Sequence, residues 1–204
     1  AGLPPSDTAC LVATARDLYQ RHARLAAALA APLLADLKPA QVRALKTRFA
    51  RELTEDLAED DNAERELRAR AKRYVKAIEE WTGPLGAEQR TLVTEATRRM
   101  PDTREAVIAY RTRKRQALIG LLESGAGAGR LESFLTDWLA DYRDLPPDLR
   151  EAGERLEERL VELISTLGQT LTSAQKTHLE RRLSTLKSDL LRLQDQPRLA
   201  PATC

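Results

Sequence analysis

The sequence predicts an all-α protein, an elongated multi-helix bundle of antiparallel helical hairpins with about eight helices. Three observations lead there. Apolar residues recur at three- and four-residue spacing almost throughout, and no segment sustains the alternation of a strand. Charged residues make up 31% of the 204 and aromatic residues 4%, a mix that, with helical periodicity, belongs to long helices knitted from Leu and Ala. Helix-start and helix-stop signals also punctuate the chain legibly.

The elements follow in order. A first helical stretch reaches a break at residues 36–38. Val42, Leu45, Phe49, Leu53 and Leu57 then form one stripe, which runs out in Glu59-Asp60-Asp61. Asp61 and Glu64 make an Asp-x-x-Glu capping box for a helix carrying Leu67, Ala71, Val75, Ile78 and Trp81. Gly83-Pro84 stops it. A short helix runs to Met100, where Pro101 forces a break, and Asp102 with Glu105 caps the next. Gly125, Gly127 and Gly129 read as a flexible joint and the candidate subdomain boundary. The expected division is an N-terminal helical subdomain 1–124, a C-terminal helical subdomain 130–195 and a mobile tail 196–204. Leu145-Pro146-Pro147 makes the last break.

Two leucine seams follow. Leu156, Leu160, Leu163 and Leu167 step by 4, 3 and 4, and Leu179, Leu183, Leu186, Leu190 and Leu193 by 4, 3, 4 and 3. Gly168 suits the left-handed residue that ends a helix. The seams are expected to close on each other as a terminal αα-hairpin.

Net charge is +2 with a pI near 8.6, so the field of the whole molecule is modest for a nucleic-acid binder. No run of 18 apolar residues exists to cross a membrane. Ala1–Ala9 has neither a basic nor an apolar leader-like region, which suits a cytosolic chain or a trimmed exported one. Cys10 and Cys204 allow two readings. A bond between them would close almost the whole chain, worth roughly 4–5 kcal/mol in the chain-entropy picture. The simpler reading has Cys10 packing on a helix and Cys204 ending a Pro-containing tail.

One pattern returns three times: Leu37-Lys38-Pro39-Ala40-Gln41, Leu85-Gly86-Ala87-Glu88-Gln89 and Leu171-Thr172-Ser173-Ala174-Gln175. Each opens a helix. In the third copy Thr172 is the N-cap, Gln175 reaches back to the cap's own N–H, and Leu171 begins a hydrophobic staple. Pro39 fits the first helical position, where its missing N–H costs nothing. Leu171 and Leu37 are expected to be buried.

The chain resembles a family of proteobacterial envelope lipoproteins that carry repeated Leu-Thr-Pro-x-Gln motifs. The resembling stretches are Ala31 to Gln41, Glu80 to Leu85, Arg113 to Leu118 before Leu121-Leu122, and Leu171 to Leu179, spanning about residues 15–195. The resemblance implies an exported, envelope-associated protein. The repeated motif is also similar to that of the Spy/CpxP-type periplasmic chaperones, which implies holding of unfolded clients. Two of the three copies lack the Thr, and the lipid anchor and aromatic-rich segment of the lipoprotein family are not represented in the sequence.

Candidate chemistry is sparse. His22 and His178 stand far apart without ligand or triad spacing, and the Gly125–Gly129 run lacks the Lys-Ser/Thr of a phosphate loop. No catalytic, metal or cofactor residue is assigned. Two partner-binding candidates remain. Arg111, Arg113, Lys114 and Arg115 form a polar turn within a helix flanked by apolar residues. They suit either an anionic ligand or a solvated crossing with heads paired to carboxylates such as Glu52, Glu55 and Asp56. Phe134, Trp138 and Tyr142 step by four and suit either core or a partner surface. The expected function is non-enzymatic: a periplasmic helical protein that binds protein partners or clients, chaperone-like or scaffold. The alternative is an anionic-ligand binder, for a lipid head group or nucleic acid, using the basic turn.

Overall fold

The computed structural model of the chain describes residues 5–58 and 63–194. It is 86% helical, with no strand among the described residues. The helices are α1 (Pro5–Ala35), α2 (Pro39–Ala58), α3 (Ala63–Thr82), α4 (Ala87–Arg98), α5 (Arg104–Glu123), α6 (Ala128–Leu139), α7 (Pro147–Thr170) and α8 (Ser173–Gln194). The all-α expectation holds. Proline opens α1, α2 and α7, where a missing N–H leaves nothing unpaired that was not unpaired already. The Asp61 capping box and the tail 196–204 fall outside the described residues.

The chain divides into two compact units, and the division is not the expected one. Unit 1 comprises Ala1–Thr14, Asn62–Met100 and Leu156–Cys204; unit 2 comprises Ala15–Asp61 and Pro101–Arg155. The boundary placed at the glycine run does not appear. Gly125 has φ +69° and sits just past the end of α5. Its N–H bonds the Leu122 carbonyl at 3.1 Å, and the Ala126 N–H bonds the Leu121 carbonyl at 3.0 Å. This pair of bonds is the Schellman closure of a helix C-terminus. The glycine therefore serves a tight turn inside unit 2, with α5 and α6 packed on either side.

In unit 1, α3 packs on α4 and on α8. Leu85, Val93, Met100, Leu163 and Leu167 are buried together, with Tyr74, Val75 and Ile78 packed around them. The α7 seam thus faces the core shared with α3 and α4. The expected terminal hairpin does not close, and the neighbour of α8 is α3. Gly168 is not a stop either, since α7 runs on to Thr170. Close to that same end of α7, buried Ser165 donates to the buried Thr8 hydroxyl of α1 at 3.1 Å. Cys10 is disulfide-bonded, against the simpler reading of a free thiol packed on its helix; Cys204 lies outside the described residues.

In unit 2, α2 and α6 both pack on α5. Ala31, Leu118 and Leu131 are buried, with Phe49, Leu122, Phe134 and Trp138 against them. Helix α1 meets this core at Ala31, and Ala23 and Ala27, at four-residue steps on the same face, are buried as well.

Candidate functional site

The basic turn of α5 lies in unit 2, and each of its charges is engaged. Arg111 pairs with Asp56 of α2, and Arg115 pairs with Glu52 at 2.6 Å while its guanidinium lies 4.8 Å over the Phe49 ring. Arg113 stacks on Tyr110 at 5.4 Å and reaches the Asp144 carbonyl at 3.5 Å. Lys114 is 5% exposed. Its ammonium sits 5.2 Å from the Phe134 centroid and 5.7 Å from that of Tyr110, and it meets the Asp144 carboxylate at 2.5 Å. A buried cation needs such a partner, because desolvating it alone is costly. The solvated-crossing reading named Glu52 and Asp56 as acceptors, and both serve; Glu55 instead pairs with Arg51 within α2.

The electrostatics agree. The Lys114 hydrogen bond, first among the causes, holds Asp144 below the usual carboxylate range. Glu52 is likewise lowered, chiefly by its hydrogen bond from Arg48. Burial pushes the Tyr110 phenol up, and the Asp144 carboxylate adds to this. The Tyr110 hydroxyl is buried without a well-formed hydrogen bond among the described residues.

The aromatic ridge is corrected. Phe134 and Trp138 share α6 with centroids 5.9 Å apart, tilted by 56°, and pack on the core. Tyr142 lies beyond the end of α6, in the left-handed region at φ +50°. Its phenol is pushed well above the usual range by burial and by a hydrogen bond with Tyr19. The end of α6 at Leu139 breaks the ridge, leaving Phe134 and Trp138 partly buried against the core and Tyr142 beyond the helix.

Two surfaces stand open in unit 2. Between α2 and α5 a groove of about 360 Å³ is floored by Phe49, Leu53 and Ile119 and edged by Lys46, Arg115 and Glu123. Lys46 and Glu123 bridge at 3.0 Å. Of the basic turn, Arg115 lines this groove, whereas Arg111 and Lys114 do not. On α1 the leucines lie opposite the buried alanines. Leu25, Leu29 and Leu33 are 59%, 63% and 72% exposed, and Leu18 is exposed with them. No charge interrupts the stretch 25–35. A helix that buries Ala and exposes Leu inverts the usual arrangement of a surface helix. Sequence reading missed this face because periodicity shows a stripe without showing which stripe the core takes.

The repeated motif caps in all three copies. The Gln41, Gln89 and Gln175 side-chain oxygens accept from the backbone N–H of Lys38 at 2.8 Å, Gly86 at 2.9 Å and Thr172 at 3.0 Å. The Gln175 N–H reaches the Thr172 hydroxyl at 3.3 Å, completing the capping box. In unit 1 a second role is added: Gln89 and Gln175 meet, and both line a cavity of about 440 Å³ beside His178 and Arg181. Leu85 is buried, whereas Leu37 and Leu171 are only half-buried, short of the burial expected of them.

Among the described residues no helix is long and apolar enough to cross a membrane, and no cluster of three or more His, Cys, Asp or Glu is placed to hold a metal ion. The profile of a family of unknown function, DUF6279, matches residues 8–150. The chain belongs to this family. The match covers all of α2 to α6, and so the DUF6279 segment includes the basic turn, the groove and the exposed α1 leucines. No curated protein and no solved structure matches the chain.

Proposed function

We propose that this protein acts without catalysis, by binding apolar segments of other proteins, in the manner of an envelope chaperone or scaffold. The observation that carries the reading is the α1 leucine face. Apolar patches left exposed on a folded domain mark interaction surfaces. Leu18, Leu25, Leu29 and Leu33 supply one that folding leaves uncovered within unit 2. Its flanking charges are already paired, Arg21 with Asp17 at 2.6 Å and Arg24 with Asp141 at 2.7 Å. The occupant this chemistry suits is an amphipathic or unfolded segment recognised through its apolar side chains. The envelope location and the likeness to periplasmic chaperones rest on the sequence resemblance.

Binding of an anionic ligand is the weaker reading, because the basic turn spends its charge on Asp56, Glu52 and Asp144. The test is suppression of aggregation of a denatured client protein by the chain and by a Leu25→Ser, Leu29→Ser, Leu33→Ser variant. The expected result is protection by the parent and its loss in the variant, with an unchanged helical circular-dichroism spectrum. Equal protection by the two proteins would overturn the assignment of the site to α1.

A further inference from the structure

We infer that α8 is a self-association element, pairing antiparallel with the α8 of a second copy. The observation is a heptad seam whose middle leucines stand exposed. Leu179, Leu183, Leu186, Leu190 and Leu193 keep a strict 4-3-4-3 spacing, the pattern of helices that pack knobs into holes. The middle of that pattern is not buried within the molecule. Beyond its first turns, where it meets α3, the described side chains of α8 are exposed, including Leu183 at 48% and Leu186 at 41%.

The flanking charges choose the occupant. With Leu183 and Leu190 at a and Leu186 at d, Glu180 and Lys187 take e and Arg182 and Asp189 take g. All four are exposed. Among the described residues no ion pair holds Glu180 or Lys187. Arg182 stacks 5.6 Å over Trp81, and Asp189 has only a long contact, 3.8 Å, to Arg192. Charges at e and g set partner and orientation in such coils. An antiparallel pair of identical helices sets e against e and g against g. Glu180 then faces the Lys187 of the second copy, and Arg182 faces its Asp189. The two-fold axis repeats both, so four opposite-charge pairs flank the Leu183–Leu186 layers. A parallel pair would set Arg182 against the second copy's Lys187, like against like. The helix's own sequence is thus complementary to itself in one direction and not in the other.

The scale of the contact is small. Twenty-two residues make a helix of about 33 Å, and one such helix covers less than the ~800 Å² per partner of a standard interface. The association is therefore weak and concentration-dependent.

Sedimentation equilibrium of the full chain, from about 10 μM to about 1 mM, spans the range of such an interface. The expected result is a mass rising from monomer toward dimer. Lys187→Glu and Glu180→Lys should each weaken dimerisation by about tenfold or more, and an equimolar mixture of the two should restore it, because every e–e pair becomes opposite again. Leu183→Ser with Leu186→Ser should leave a monomer with an unchanged helical spectrum. A parent that stays monomeric throughout would overturn the proposal and leave the seam to a different protein. A Lys187→Glu variant that dimerises as well or better would overturn the antiparallel pairing.

Discussion

The side-chain amides of Gln89 and Gln175 hydrogen-bond each other in both directions, at 3.0 and 2.9 Å. Each oxygen also accepts the cap N–H of its own helix. Each nitrogen's second hydrogen goes to a carbonyl just before the other copy's leucine, Gln89 to Thr170 at 3.0 Å and Gln175 to Pro84 at 2.8 Å. The two copies of the motif, 86 residues apart, are thereby related by a local two-fold symmetry. One residue type does two jobs here, stopping the frayed end of its own helix and tying it to the other.

Removing either amide strands a buried group. Gln89→Ala or Gln175→Ala should cost about 1–3 kcal/mol, the usual cost of leaving a buried polar partner unpaired. Gln41→Ala, at an exposed cap in unit 2, should cost about 1 kcal/mol or less. Urea unfolding of the three variants measures this, and a double Gln89→Ala, Gln175→Ala variant should lose less than the sum of the singles. Equal losses at all three positions would mean that capping alone explains the motif.

Much of this was legible in advance, and what was not has a physical cause. Local signals travelled well: the Thr172–Gln175 box, Pro39 at the start of α2 and the break at Gly83-Pro84 all depend on neighbours in sequence. The ion-pair partners Glu52 and Asp56 were legible too, since a polar turn inside a helix needs acceptors on the next helix. The errors concern which face meets which. The leucine seams of α7 and α8 look alike, yet α7 spends its own on Leu85, Val93 and Met100. Glycine carried the same ambiguity, because Gly125 as a helix cap and Gly125 as a joint have one spelling. The Gln89–Gln175 brace was invisible for the same reason: spacing of 86 residues says nothing about contact.

The α5 turn is predicted to be structural. Replacing Arg111, Lys114 and Arg115 together with Ser should lower the melting temperature by about 4 °C or more, because Asp56, Glu52 and Asp144 lose their cations and the buried Lys114 site is left empty. Client protection per folded molecule should not change. A variant that melts like the parent but no longer protects would restore the turn as a binding surface.

The carboxylates of that turn set the direction of the acid response. Asp144 and Glu52 are held below their ordinary values, so the folded state binds protons less readily than the unfolded chain. Their contribution is then fully present above the ordinary carboxylate pKa of about 4 and is lost as pH falls through the lower folded values. Thermal melts should therefore show no loss from this source between about pH 5 and 7 and a fall below about pH 4. Lys114→Met should be less stable at neutral pH and show a shallower acid decline. An acid decline as steep as the parent's would mean that other carboxylates dominate.

The last prediction separates two glycines by backbone alone. Gly83 ends α3 at φ +78°, its N–H bonding the Glu79 carbonyl at 2.9 Å, and a Cβ there would stand 3.7 Å from the His178 ring. Space is adequate, so the cost of Gly83→Ala is conformational, about 1–2 kcal/mol for a left-handed L-residue. Gly168 has ordinary helical geometry inside α7, and an alanine methyl there would have nothing within 4 Å. Gly168→Ala should instead stabilise by about 0.5–1 kcal/mol, since alanine suits a helix interior better than glycine. Had Gly168 been the helix stop that its place between two seams suggests, both substitutions would destabilise. Chemical unfolding of the two variants therefore decides whether α7 continues through residue 168 in solution, and with it whether α8 is released from α7.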